Sequence, residues 1–360
     1  MRLLALEYGA DMVYTPELIA HKLARCVRVE NERLGCVDFM DDDSLVLRIA
    51  PAERHAVVLQ IGAADKDLAL RAARLCEADI NAVDLNMGCP KPFSVKGGMG
   101  AALLKTPEKA VEILTTLVSS LSIPVTCKIR LLEDDESTIA LVKQLAATGV
   151  SAIGVHGRTR DMRPREPALW ARIKAVADAV DVPIIANGDC FKFEDFATMT
   201  AATGAASIMV ARGAQWNVSL FSPDGMVPPA EVAARYTRLA LHWGMAPGNA
   251  KFTLNAMTTF GMGPAIQAAK TWADLASMFK LENEYELLCT ASGSEHANWV
   301  PSSRTRAKME RIKRSRAEKA RNTAKKRSAT DAASKRPAAD AAAGAGPAKK
   351  AKRLDATASA

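Results

Sequence analysis

Seven short apolar segments, at residues 11–14, 56–62, 82–86, 124–130, 152–157, 183–188 and 207–213, alternate with stretches whose apolar residues fall three or four apart. The helical spacing is clearest at 66–77, 107–121, 136–148 and 167–180. Such alternation with short connections requires a parallel sheet, because successive parallel strands must be joined by right-handed crossovers. Two architectures satisfy that requirement: a doubly wound open sheet and a closed barrel of eight strands. Polar residues finish nearly every segment, among them Gln60, Asn86, Lys128, His156, Asn187 and Arg212. One ring of polar side chains around one mouth is the barrel arrangement. The expected fold is α/β, a (β/α)8 TIM-type barrel without its first strand, with residues 2–8 as the helix after that strand and Gly9 as its cap.

Past residue 213 the alternation stops, and 229–243 and 265–287 carry mainly helical patterns. The expected organisation is a barrel domain at 1–222, a small helical domain at 223–300 and a tail at 301–360. That tail is rich in Ala, Lys, Arg and Ser and nearly devoid of large apolar residues, so it is expected to be disordered. The formal charge of +8 conceals an asymmetry: the tail holds 18 Lys and Arg against 5 Asp and Glu, and the first 300 residues hold 30 against 35. No apolar run reaches membrane-spanning length, and the amino terminus lacks a signal-peptide layout, so a soluble, non-secreted protein is expected. Seven cysteines without a CxxC pair and five histidines without HExxH suit a reducing compartment and argue against a metal.

The segment that carries chemistry is 86–104, Asn-Met-Gly-Cys-Pro-Lys-Pro-Phe-Ser-Val-Lys-Gly-Gly-Met-Gly-Ala-Ala-Leu-Leu. It puts the Cys89 thiol on a Gly-Cys-Pro turn at a strand's carboxyl end, the edge where α/β folds hold their sites. A glycine-rich turn at 97–100 follows, which is costly unless something approaches the backbone closely. A cysteine packed as a small apolar residue is the plainer alternative.

Taken together at consecutive strand ends, Val-Leu-Gln60-Ile-Gly, Asn86-Met-Gly-Cys89-Pro with Lys96-Gly-Gly-Met-Gly-Ala-Ala-Leu-Leu, Cys127-Lys128-Ile-Arg130, Val155-His156-Gly-Arg158, Ala186-Asn187-Gly188-Asp189 and Met209-Val-Ala211-Arg212-Gly-Ala form a pattern. The chain, over roughly residues 1–290, resembles the tRNA-dihydrouridine synthases, and in particular the eukaryotic branch associated with tRNA position 20. The resemblance implies FMN as prosthetic group, NADPH (or NADH) as reductant, and reduction of a uridine C5=C6 bond. Hydride would pass from reduced flavin to C6 and a proton from Cys89 to C5, a role that an unperturbed thiol near pKa ~8.5 suits. By the same resemblance Gln60, Lys128 and His156 would contact the flavin. Asn187, Gly188, Asp189, Ala211 and Arg212 would hold its phosphate, and Asn86 would read the uracil edge. Gln60 has a plain alternative, an amide that merely satisfies backbone at the barrel mouth. Arg130, Arg158 and Arg163, with Arg160 and Arg165, crowd one face and suit a phosphate-backbone substrate.

The implied partner is tRNA, with the chain acting as a monomer away from membranes. Residues 304–327 hold 12 basic and 2 acidic side chains without aromatic interleaving, which suggests salt-dependent RNA attachment. Lys335 and Arg336, a spacer, then Lys349, Lys350, Lys352 and Arg353 resemble a bipartite nuclear-localisation signal for an import receptor. A nuclear or cytoplasmic location, or both, is expected. Two other readings stay open at this level: a flavin barrel dehydrogenase for a free pyrimidine, and a tRNA-binding protein without catalysis.

Overall fold

The computed structural model of the protein describes residues 1–257 and 261–291, with the single positions 314 and 321. By their contacts the described residues up to 291 lie in one compact unit, the first of two into which the chain divides at residue 300. The basic clusters of 335–353 lie outside the described residues.

A parallel sheet runs through the first unit. Its strands are β1 (Val13–Tyr14), β2 (Leu18–Ile19), β6 (Val57–Gly62), β7 (Ala82–Asn86), β8 (Val125–Arg130), β9 (Ala152–His156), β10 (Ile184–Asn187) and β11 (Ser207–Met209). They lie in the order β1-β6-β7-β8-β9-β10-β11, with β2 also on β6. This is the parallel curved sheet of a TIM-type α/β fold, and each of the seven expected segments supplies a strand. β1 and β2 follow one course along β6, interrupted at Thr15-Pro16-Glu17. Proline has no N–H for the ladder, and the Thr15 hydroxyl accepts from the Gln60 N–H at 3.0 Å in place of a backbone partner.

Alternation along these strands separates two environments. Leu59, Leu85, Cys127, Ile129, Ile153 and Val155 point outward and are fully buried. Above them pack α3 (Lys66–Cys76), α5 (Pro107–Ser120), α6 (Asp135–Ala146), α7 (Trp170–Ala177) and α8 (Glu194–Thr203). Each such aliphatic side chain contributes ~1.5–3 kcal/mol through burial. The opposite phase, Gln60, Asp84, Asn86, Thr126, Lys128, Arg130, His156 and Asn187, shares the inner face and is polar. A polar interior of this kind belongs to a site.

Three elements differ from expectation. Residues 27–49 form an antiparallel sheet of β3 (Val27–Asn31), β4 (Cys36–Asp41) and β5 (Ser44–Ile49), a region for which no element is expected from the periodic patterns. Its signals are Gly35 and Asp42, both at positive φ in its two turns. Buried Asp79 ties it to the barrel by accepting from Arg28 at 2.7 and 3.0 Å. The strand expected at 207–213 stops at Met209, and Arg212 opens the short helix α9 (Arg212–Trp216), because Gly213 packs against the Cys190 carbonyl where a Cβ would collide. The helical pattern at 265–287 breaks into α12 (Gly263–Ala268), α13 (Trp272–Met278) and α14 (Glu282–Ala291). Thr271 and Asp274 form a capping box that starts α13, and Lys280 at φ 57 separates it from α14. Before these, α10 (Pro229–His242) joins the barrel through Arg235, which donates to the Tyr8 hydroxyl after α1 (Arg2–Glu7). No helix among the described residues is long and apolar enough to cross a membrane.

Candidate active site at the carboxyl edge of the sheet

Cys89 is fixed through its backbone before its side chain is considered. A polar ladder crosses β8, β7 and β6: the Thr126 hydroxyl donates to Asp84 Oδ1 at 2.7 Å, and Gln60 Nε2 donates to Asp84 Oδ2 at 2.8 Å. Asn86 Nδ2 then donates to Gln60 Oε1 at 2.9 Å, and Asn86 Oδ1 accepts the N–H groups of Gly88 and Cys89 at 3.0 and 2.9 Å. From the far side, Arg130 Nε donates to the Gly88 carbonyl at 2.8 Å and Ala101 N–H to that of Cys89 at 3.0 Å. Gly100 makes this closure possible, since at φ 59 a Cβ there would lie 2.7 Å from the Cys89 carbonyl oxygen. The amides of Gln60 and Asn86, expected to face a ligand, are thus engaged in holding the cysteine turn.

Electrostatics follow from burial on the inner face. Asp84 is almost fully buried, and burial raises its carboxyl despite donors from Thr126 and Gln60 and the nearby Lys128 charge. Lys128 lies beside Gly154 in register, and its stem uses the space that a side chain at 154 would fill. Burial lowers the Lys128 amine to about 8, with Asp84 opposing and Arg130 adding to the effect. Burial also raises the Cys89 thiol, followed by hydrogen bonding to Glu17, so the thiol departs from the unperturbed value expected for it.

A second cluster centres on Asp189. Its carboxylate accepts from Arg158 at 2.6 and 2.7 Å, from Arg212 at 2.7 Å and from the Ala168 N–H at 2.7 Å. Burial opposes its ionisation, yet these donors hold the carboxyl below its usual range. Arg158, expected with the other arginines on one face at the mouth, is 3% exposed, its Nε also donating to the Glu166 carbonyl at 2.7 Å. Asn187 Nδ2 donates to the Met209 carbonyl at 2.8 Å, joining β10 to β11 below Ala211, and Trp170 donates to the Gly188 carbonyl at 3.0 Å. Arg163 is exposed on the loop after β9 and does not join this cluster; its N–H donates to Glu166.

His156 lies between the clusters. Burial first, then the charges of Lys128, Arg130, Arg158 and Arg212, push its imidazole down to about 2, so it is neutral. Arg158 Nη1, which only donates, stands 3.4 Å from His156 Nε2, which assigns the ring proton to Nδ1. In the protein without added ligand the His156 ring signals are expected to stay constant in an NMR titration from pH ~8 to ~5, whereas an ordinary histidine titrates near 6.5. Unfolded chain takes up a proton below that ordinary value and folded chain does not, so this residue makes stability decline as pH falls below ~6.5.

Asp84, Thr126, Glu17 and Ser94 belong to the site and are not among the residues singled out from sequence. Asp84 had a signal, a lone acid within the apolar run Ala82-Val83-Asp84-Leu85. Glu17 had the proline before it, just past an expected strand. Among the described residues, no three His, Cys, Asp or Glu side chains form a metal-binding group.

Residues 1–247 match the sequence model of the family described as dihydrouridine synthase (Dus). The chain is 38% identical over 301 residues to a tRNA-dihydrouridine(20) synthase [NAD(P)+] of Schizosaccharomyces pombe, covering 79% of this chain and 63% of that protein. It is 42% identical over 202 residues to the Saccharomyces cerevisiae protein of the same name, covering 52% of this chain and 53% of that one. A tRNA-dihydrouridine(16/17) synthase [NAD(P)(+)]-like protein of Mus musculus is 32% identical over 238 residues, covering 65% and 47%. The chain therefore spans about half to three-fifths of the length of the curated relatives it matches.

Proposed function

The chain belongs to the dihydrouridine synthase family, and from that premise we propose that its site reduces the C5=C6 bond of a uridine in tRNA, at position 20 of the D-loop, using FMN and NADPH (or NADH). The observation that carries this reading is the pairing of a fixed, half-buried thiol, Cys89, with a surplus of positive charge on the same sheet edge. Lys128, Arg130, Arg158 and Arg212 surround a neutral His156, and two carboxylates stand near them, Asp189 between Arg158 and Arg212 and Asp84 near Lys128. That donor set fits an anionic group carrying phosphate, as FMN does. Lys128 and His156 would hold the ring system, and the Gly188, Ala211 and Arg212 backbone and side chains the phosphate. Bound FMN would supply the hydride for C6.

Within this reading Cys89 donates its proton to C5, and Arg130, which braces the cysteine turn, adds charge toward the tRNA backbone. Arg163, exposed beyond the site, is assigned to the phosphate backbone as well. A uridine must leave its stack to reach such a site. On sequence grounds the basic stretch 304–327 adds salt-dependent attachment to tRNA, and the paired basic clusters near the carboxyl terminus direct nuclear import. The purified chain is expected to be yellow, to lose its visible flavin band anaerobically on NADPH addition, and to form dihydrouridine in unmodified tRNA by mass spectrometry of nucleosides. A colourless protein that does not take up FMN would overturn the cofactor assignment. Flavin turnover without any modified tRNA would overturn the substrate.

A further inference from the structure

The Cys89 thiol faces two opposite charges, and the family premise accounts for neither. Arg130 reaches the cysteine turn from β8, and its guanidinium and the Cys89 sulfur interact electrostatically. Beside a guanidinium alone, a thiol loses its proton more easily and becomes a nucleophile. A proton donor needs the reverse.

Glu17 supplies it from the other side. The break at Pro16 interrupts the strand course on β6, and the Glu17 carboxylate takes the space above Gly62, where a Cβ would come within 2.8 Å of Oε1. Ser94, fully buried on α4 (Pro92–Lys96), donates to Glu17 Oε1 at 3.4 Å. The same Ser94 hydroxyl and the Cys89 Cβ converge over Gly100, where a side chain would strike both. Glu17 is half-buried, and its carboxylate favours keeping the proton on the sulfur, while the Lys91 backbone N–H and the Ser94 hydroxyl favour its release. The groups whose charge or polarity acts on the sulfur are therefore Glu17 from the β1–β2 connection, Ser94 and the Lys91 backbone from its own loop and helix, and Arg130 from β8.

We propose that Glu17 is a positioning residue for Cys89: its carboxylate, seated over Gly62 and held by Ser94, opposes Arg130 and keeps the sulfur as a thiol. The assignment of that thiol as proton donor rests on the function proposed above; the state of the sulfur does not. Glu17→Gln removes the charge with little change of shape. Alkylation of Cys89 by iodoacetamide in the full chain, followed on its own peptide by mass spectrometry across a pH series, reads the thiolate fraction directly. At pH 7 the rate is expected to rise about fivefold in Glu17→Gln, with the rate–pH curve moving toward acid, and to rise less in Glu17→Asp, which keeps the charge. An unchanged or slower rate in Glu17→Gln overturns the proposal. Cys127, fully buried, reports the fold: should Glu17→Gln expose it to the reagent, Glu17→Asp carries the test, and an Asp variant with an unaltered curve overturns the proposal. In the tRNA assay, Glu17→Gln should move the alkaline fall in kcat/KM to lower pH. A wild-type chain inactive on tRNA would overturn the function reading and leave the alkylation result standing.

Discussion

Cys89→Ala is expected to lower dihydrouridine formation by about 10²- to 10⁴-fold, the usual contribution of a placed general acid, while flavin binding and NADPH oxidation persist. The two outcomes separate because the contacts that fix the turn are backbone ones. The Cys89 N–H donates to Asn86 and its carbonyl accepts from Ala101, so alanine leaves both intact. The thiol itself is the only polar group removed, and among the cations around the neutral His156, Arg158 and Arg212 bond to Asp189. Single-turnover reduction of unmodified tRNA by pre-reduced enzyme, scored by nucleoside mass spectrometry, checks the loss. Full activity in the alanine variant would show that the proton comes from elsewhere.

Asp189→Ala is expected to cost about 3 kcal/mol in a urea denaturation curve, because it strips the partner from a buried guanidinium. Arg158 is 3% exposed and relies on that carboxylate for two short bonds. The same change frees Arg212 and leaves the Ala168 N–H without its acceptor, so binding of flavin mononucleotide should weaken together with stability. Asp189→Asn, which keeps an acceptor without the charge, should lose less. Because the native carboxyl lies below its usual range, the stabilisation is present above pH ~4 and disappears as pH falls through the native value. A denaturation midpoint unmoved by Asp189→Ala would mean that Arg158 has other adequate partners.

The barrel was legible in sequence because its strands obey local rules. Residues 82–86 and 152–156 read as strands from their apolar runs alone, and their polar ends marked the edge that carries the site. The small antiparallel sheet at 27–49 was not legible in the same way. It sits between two barrel strands where a crossover helix belongs, and its turns rest on Gly35 and Asp42 rather than on a hairpin dipeptide. At the site, motifs located Cys89, Lys128, His156 and Asp189, because each stands alone at a strand end. They did not tell which arginine is buried: Arg158 and Arg163 look alike in sequence, and only the fold puts Asp189 within reach of the first. Glu17 and Ser94 were missed for a related reason, since they come from separate connections, 77 residues apart, and meet in space alone.

The ladder from Thr126 through Asp84, Gln60 and Asn86 ends on the peptide of the cysteine, and every member belongs to the sheet rather than to a loop. The Cys89 sulfur is therefore tied to the register of three neighbouring strands. On the function proposed above, changes in the surface connections would alter how a nucleic acid is gripped while the sulfur keeps its address. Grip and chemistry would then be separable by mutation, the one lying in connections and the other in the sheet.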